Sequence, residues 1–263
     1  MKELREWADR RLVGAQMLFA VAPWVLGAVV AKGVFGLLDW EPIELNALLS
    51  GVVAANVFLL GFLLAGTLAD FKESERLPGE LSAALESIAD ECLIVRERID
   101  DPRPADRCLA AAGAIAVTVR AWLEHRASVD DALNSVRALN PAYIALQEVD
   151  EATFVNRLKT EQSNVRRAIV RMEGIKATSF VVAGYIVADV AARLLLVALL
   201  LTEIGTLGEG MFFIGVIAFL LLYMNRLIRD LDNPFEYRDG SQGAADVSLA
   251  ALERVQHRLD AAL

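Results

Sequence analysis

The sequence predicts an all-α membrane protein, with four transmembrane helices in two hairpins and a cytoplasmic helical bundle between them. Three observations carry that expectation. Of the 263 residues, 56% are hydrophobic and only 7% aromatic, more aliphatic surface than a water-facing exterior tolerates. Two long stretches hold no Asp, Glu, Lys or Arg: Leu12–Ala31, of 20 residues, and Leu45–Ala69, of 25. The basic residues outside the apolar runs also gather on one side of them, which sets an orientation.

Each uncharged run is long enough to cross roughly 30 Å of hydrocarbon as a helix. A third span is expected from about Ala177 to Leu201, interrupted by Asp189 and Arg193, and a fourth from about Gly210 to Asn225. At that depth lipid offers the backbone no hydrogen-bond partner, so the spans must be helical. The first run is too long for the apolar region of a signal peptide and lacks a small-residue cleavage site, so it reads as retained.

Lys2, Arg5, Arg10 and Arg11 precede the first span, and Lys72 and Arg76 follow the second. Arg166, Arg167, Arg171 and Lys176 precede the third, and Arg226 and Arg229 follow the fourth. The two short connections hold Lys32 against Asp39, Glu41, Glu44, Glu203 and Glu209. The positive-inside rule then expects both termini and the middle segment in the cytoplasm, in a multi-pass protein of the inner membrane. The expected divisions are 1–69 for the N-terminal segment and first hairpin and 70–176 for the cytoplasmic helices. The second hairpin takes 177–225, and 226–263 forms the cytoplasmic C-terminal segment.

Within the insert, Leu77-Pro78-Gly79 is read as opening an amphipathic stretch with Leu81, Leu85, Ile88, Cys92 and Val95 at helical spacing. Asp101-Pro102-Arg103-Pro104 ends it and starts another, through about Glu124. Ser128 with Asp131 resembles a capping box with Asp in place of Glu. Asn140-Pro141 reads as the start of one long polar helix reaching about Lys176. Its charges, including Glu148, Asp150, Glu151 and Arg157, fit either a solvated face or packing against neighbouring subunits.

A net charge of −9 argues against nucleic acid as a partner. Cys92 and Cys108 suggest neither a disulfide framework nor a zinc site, and His125 and His257 have no ligand spacing with another His or Cys. No phosphate-binding glycine loop, nucleophile elbow or zinc-protease motif is present. The expectation is a protein without enzymatic activity, cofactor or metal.

Two constellations stand out. On the second span, Gly51, Ala54, Ala55, Phe58, Phe62, Ala65 and Ala69 share one face, opposite Val53, Asn56, Leu60, Leu63 and Leu64. This fits a packing seam of small residues or a hydrophobic constriction with Phe58 and Phe62 projecting the same way. On the third span, Tyr185, Asp189 and Arg193 lie at i, i+4 and i+8. They fit a structural ion pair between helices or an ion-coordinating site, with the former favoured because charge at that depth is normally paired.

The stretch Phe58-Leu59-Leu60-Gly61-Phe62, followed by Glu75-Arg76-Leu77-Pro78, resembles the neck helix of the bestrophin ion channels and its exit. Ala54 matches a third neck position that is usually larger. Leu231-Asp232-Asn233-Pro234-Phe235, with Asp246-Val247-Ser248-Leu249 beyond, is similar to that family's Pro-Phe element and the acidic stretch behind it. The resemblance covers most of the chain in architecture and about thirty residues in motif. It implies a homopentamer around one axial pore, passing chloride or other small anions, with some bacterial members favouring cations. The neck would comprise Ala54, Phe58 and Phe62, and the C-terminal motif Asn233, Pro234 and Phe235.

Departures weaken two inherited properties. Glu236 stands where the family has Gly, and Tyr237-Arg238-Asp239 replaces a contiguous acidic run, so no calcium clasp is expected. Asp70-Phe71-Lys72 replaces the aromatic, basic neck exit, which leaves ion selectivity open. The implied partners are membrane lipid, small inorganic ions and further copies of the chain. A membrane-anchored scaffold whose cytoplasmic helices bind a partner is the alternative from another class. A small-solute transporter is weaker, since broken helices and an inverted repeat are not evident.

Overall fold

The computed structural model describes the backbone of residues 2–148, 152–177, 182–237 and 246–263, with side chains beginning at 17, 154 and 184 in the first three stretches. The order is α1 (Lys2–Leu37), β1 (Ile43–Glu44), α2 (Ala47–Arg98), α3 (Arg103–Leu123), α4 (Val129–Arg137), α5 (Leu139–Gln147), α6 (Ala152–Ala177), α7 (Val182–Leu200), β2 (Thr202–Glu203), α8 (Leu207–Leu231) and α9 (Ala250–Ala262). The chain is a mostly helical membrane protein. Among the described residues three helices are long and apolar enough to cross a bilayer: Met17–Leu37 of α1, α2, and α8. Two compact units divide it: Met1–Asp70 with Ser179–Asp232, and Phe71–Thr178 with Asn233–Leu263.

The first unit holds the apolar helices. α1 and α8 run antiparallel at close range because glycines on each helix make room for larger side chains of the other. A Cβ on Gly36 would meet Leu207 Cδ1 at 2.6 Å, and one on Gly215 would meet Val29 Cγ2 at 3.1 Å. In lipid, where apolar surface gives no driving force between helices, such close backbone approach supplies the packing contacts. Leu60 and Leu63 of α2 bury against Ala188, Ala192, Leu195 and Leu199 of α7 and Ile214, Leu221 and Ile228 of α8.

α8 begins three residues earlier than the sequence suggests and ends six later. Its start is fixed by a capping box, Thr206 N donating to Glu209 Oε2 at 2.8 Å and Glu209 N donating to Thr206 Oγ1 at 3.4 Å. β1 and β2, which the sequence does not announce, pair in parallel with Ile43 beside Thr202 and Glu44 beside Glu203. They join the two short connections. Lys32, 2% exposed, sits behind this ladder.

The second unit is a helical bundle around α3. Two expectations fail here. α2 does not break at Pro78 but continues for 52 residues. An interior proline forfeits a backbone bond and costs about 3 kcal/mol. Yet Leu77, Leu81, Leu85 and Ile88, each at most 4% exposed, contribute roughly 1.5–3 kcal/mol apiece by burial along the continuing helix. Burial wins.

The long polar helix from Asn140 to Lys176 is instead two antiparallel helices. Tyr143 Oη donates to Leu158 O at 3.2 Å, Lys159 Nζ donates to Asn140 Oδ1 at 2.7 Å, and Gln162 Nε2 donates to Val136 O at 2.8 Å. A single rod could not bury Leu139, Tyr143 and Leu146 beside Leu158, Val165 and Ile169, which all lie in one core. Asn140 is not the N-cap; α5 starts at Leu139, sharing Ala138 with the end of α4. Asp150 and Glu151 lie outside the described residues.

Other local signals hold. α3 starts at Arg103, and Ser128 and Asp131 form their capping box. Leu252, Val255 and Leu259 of α9 enter the core of this unit. Cys92 and Cys108 are free and buried there. A hydrogen bond between the two thiols, together with burial, pushes the Cys92 thiol far above its ordinary range.

Candidate functional site

Within the first unit, α2 separates its residues sharply. Phe58 and Phe62 are 76% and 66% exposed, and Gly51, Ala54, Ala55, Ala65 and Ala69 are exposed beside them. Asn56, Leu60 and Leu63, on the opposite face, are buried. Four residues of helix turn through about 400°, so Ala54, Phe58 and Phe62 fall within roughly 80° of arc. The helix therefore packs Asn56, Leu60 and Leu63 into its own bundle and leaves the aromatic, small-residue side uncovered, with Val52 and Val57 also exposed. Asn56 Oδ1 has no hydrogen-bond partner among the described residues.

The charge pair foreseen on the third span is formed and is larger than expected. Arg193 Nη2 lies 2.6 Å from Asp189 Oδ2, and Arg229 Nη2 of α8 lies 3.1 Å from Asp189 Oδ1. Asn225 Nδ2 donates to the same Oδ1 at 2.7 Å. Tyr185, one turn before Asp189, donates through its hydroxyl to Asp232 Oδ1 at 2.6 Å. The polar stripe thus ties α7 to α8. In the sequence, Asn225 marks the end of the fourth expected span and Arg229 the basic flank that follows it. Their i, i+4 spacing was the available signal that both reach one partner.

In the second unit, the C-terminal motif is a packing element. Asn233 is exposed and Pro234 buried. Phe235 is fully buried, its ring 6.5 Å from that of Tyr237. Pro234 O accepts from Val247 N at 2.9 Å, and Tyr237 Oη donates to Val247 O at 2.7 Å. Burial, with the charges of Asp246 and Glu124, holds the Tyr237 phenol above its usual range. Arg238 and Asp239 lie outside the described residues. Among the described residues no three His, Cys, Asp or Glu side chains come together as a metal site.

The remaining residue that the sequence left without a role is Lys32. Its Nζ is 2.7 Å from Glu41 Oε1 and donates to the carbonyls of Thr202 and, at 3.4 Å, Leu199. It was visible only as the lone basic residue of the short connections.

No protein-family model and no curated protein matches this sequence. Solved structures do. The apolar helices and the helical second unit make up a membrane protein of bestrophin-like fold. A crystal structure of a bacterial bestrophin homologue from Klebsiella pneumoniae, in a single-substitution form, superposes with a TM-score of 0.76 at 15% identity, covering 94% of this chain and 98% of that one. A second variant of the same homologue gives 0.74 at 15% identity over 93% and 97%. A structure described as a membrane protein gives 0.75 at 16% identity over 93% and 97%. The particular fold of this chain is that of the bacterial bestrophin homologue.

Proposed function

We propose that the chain is a bestrophin-like ion channel, in which several copies ring their α2 helices around one axis and conduct small anions such as chloride passively. The second hairpin completes four spans, with α7 as the third, and both termini and the helical unit lie in the cytoplasm. Ala54, Phe58 and Phe62 line the neck. The observation that carries this reading is the uncovered face of α2: Phe58 and Phe62 stay 76% and 66% exposed while the opposite side is packed. A ring of such faces makes a dry constriction, where an ion must shed part of its hydration or wait for the neck to widen. Replacing both aromatics by alanine widens and wets that passage. The expected result in planar bilayers is a several-fold rise in conductance for Phe58→Ala with Phe62→Ala. Currents that ignore both substitutions, or no current from the wild type, would sink it.

Cation conduction is the second reading, favoured by one observation. The ladder puts Glu44 beside Glu203, both exposed. Several copies around an axis would present carboxylates at the outer mouth, raising the local cation concentration. In asymmetric KCl the sign of the reversal potential separates the two readings. If cations carry the current, Glu44→Gln with Glu203→Gln should move the reversal potential toward zero. An unmoved potential removes these residues from selectivity.

A further inference from the structure

We propose that Arg193 and Arg229, gathered on Asp189, form a binding site for the phosphate of an anionic membrane phospholipid. Two arginines share the Asp189 carboxylate, and a second carboxylate, Asp232, is held on Tyr185 one turn before Asp189. One arginine would neutralise Asp189, yet two reach it, from α7 at 2.6 Å and from α8 at 3.1 Å. A guanidinium does not shed its proton to relieve burial in lipid, so both remain charged and can take an anion through the donors that Asp189 leaves open.

The geometry prepares the two arginines for such an ion. Asn225, 8% exposed, fixes the carboxylate from below by donating to Oδ1 at 2.7 Å. The two guanidinium groups are then held side by side on the two oxygens of one group. Each carries five N–H donors, and their side chains remain 69% and 53% exposed. Paired guanidinium forks with open donors suit the oxygens of a phosphate.

The surroundings select among anions. On the same α7 face as Arg193 stand Ile186, Val190 and Val197, 58%, 46% and 55% exposed, with Leu194 adjacent at 66%. A free inorganic anion gains nothing from branched aliphatics. A phosphodiester carrying acyl chains contacts both. Position agrees as well: Asp189 lies about 10 Å along α7 from its start, and Arg229 about 3 Å from the end of α8. These are the helix ends that the proposed orientation turns to the cytoplasm, so the site falls near the inner headgroup layer. In that respect the inference rests on the orientation given above.

The test is native mass spectrometry of the full chain in detergent, with phosphatidylglycerol or phosphatidylcholine of identical acyl chains. Wild type should retain phosphatidylglycerol in preference. Arg193→Gln leaves Asp189 paired with Arg229 and Asn225, so the tie between helices survives; it should cut the preference about tenfold with little change in melting temperature. Arg193→Lys, which keeps charge but loses the fork, should fall between. An undiminished preference in Arg193→Gln, or equal retention of the two lipids by wild type, overturns the site. So does inorganic phosphate displacing the lipid fully at equal concentration, which would mean that the acyl chains add nothing. A change in oligomer mass with lipid retention intact would assign Arg193 to a contact between copies and likewise overturn it. Thiol labelling of a cysteine placed at Ser248, in intact and opened cells, reads the orientation separately.

Discussion

Lys32 shows how one side chain can hold three backbone segments. An ammonium offers three donors. Here they serve Glu41 in the first connection and the carbonyls at the end of α7 and in β2, where a cation also complements the helix C-terminus. Lys32→Met would keep most of the apolar stem and remove the charge, stranding a Glu41 carboxylate that is only 16% exposed. Removing one partner of a buried pair costs roughly 3–5 kcal/mol. The expected outcome is a clear fall in melting temperature in detergent, larger than for Glu41→Gln, which leaves a neutral partner. Melting equal to wild type would show that the clasp contributes nothing. The sequence could count this lysine but not locate its partners, because Glu41 and Thr202 come to it only through tertiary packing.

At the scale of elements, α2 and α6 are joined by Glu73 and Arg171, whose Nε and Nη2 donate to the two carboxylate oxygens at 2.7 and 2.6 Å. The Arg171 hydrogen bond, opposed by burial and aided by the charges of Arg171 and Arg76, holds the Glu73 carboxyl below its ordinary range. With its folded value depressed, the pair stabilises fully above the unfolded carboxylate value of about 4.3 and loses that effect as pH falls through the folded value. The side chains are 31% and 52% exposed, so solvent screening limits the pair to roughly 0.2–1 kcal/mol. Glu73→Gln should therefore melt slightly below wild type at pH 7, and the gap should close as pH drops under about 4. A gap unchanged from neutral to acid would refute the assignment.

These same elements mark where local sequence stops being informative. The strongest local breaker, Pro78, left α2 intact, whereas α5 ends at Gln147 although residues 148–151 include no glycine or proline. In both places the burial of aliphatic side chains in one core outweighed backbone preference. Where a side chain satisfies its own neighbour's backbone, as Ser128 and Asp131 do, the boundary was legible. The charge stripe was legible on α7, where spacing alone sets the face. Its second half, on α8, showed only as the i, i+4 spacing of Asn225 and Arg229, which names no partner.

At the scale of the whole molecule, much apolar surface faces outward. Phe19 and Trp24 of α1, Phe58 and Phe62 of α2, and Phe212 of α8 are each 66–78% exposed. Periodicity predicted which face of α2 carries the aromatics, but a period cannot say whether lipid or another copy covers it. Mass decides that. In mild detergent the channel reading expects light scattering to give five copies of the 263-residue chain, and a monomer would remove the neck.

The sealed thiols offer a use of their own. Cys92 and Cys108 are wholly shielded and, for Cys92, strongly disfavoured as thiolate, the form that reacts. Alkylating reagents should pass the native chain by until the second unit opens. The rate at which these positions become modified then clocks the opening of that unit, without any added label and while the protein still sits in its membrane.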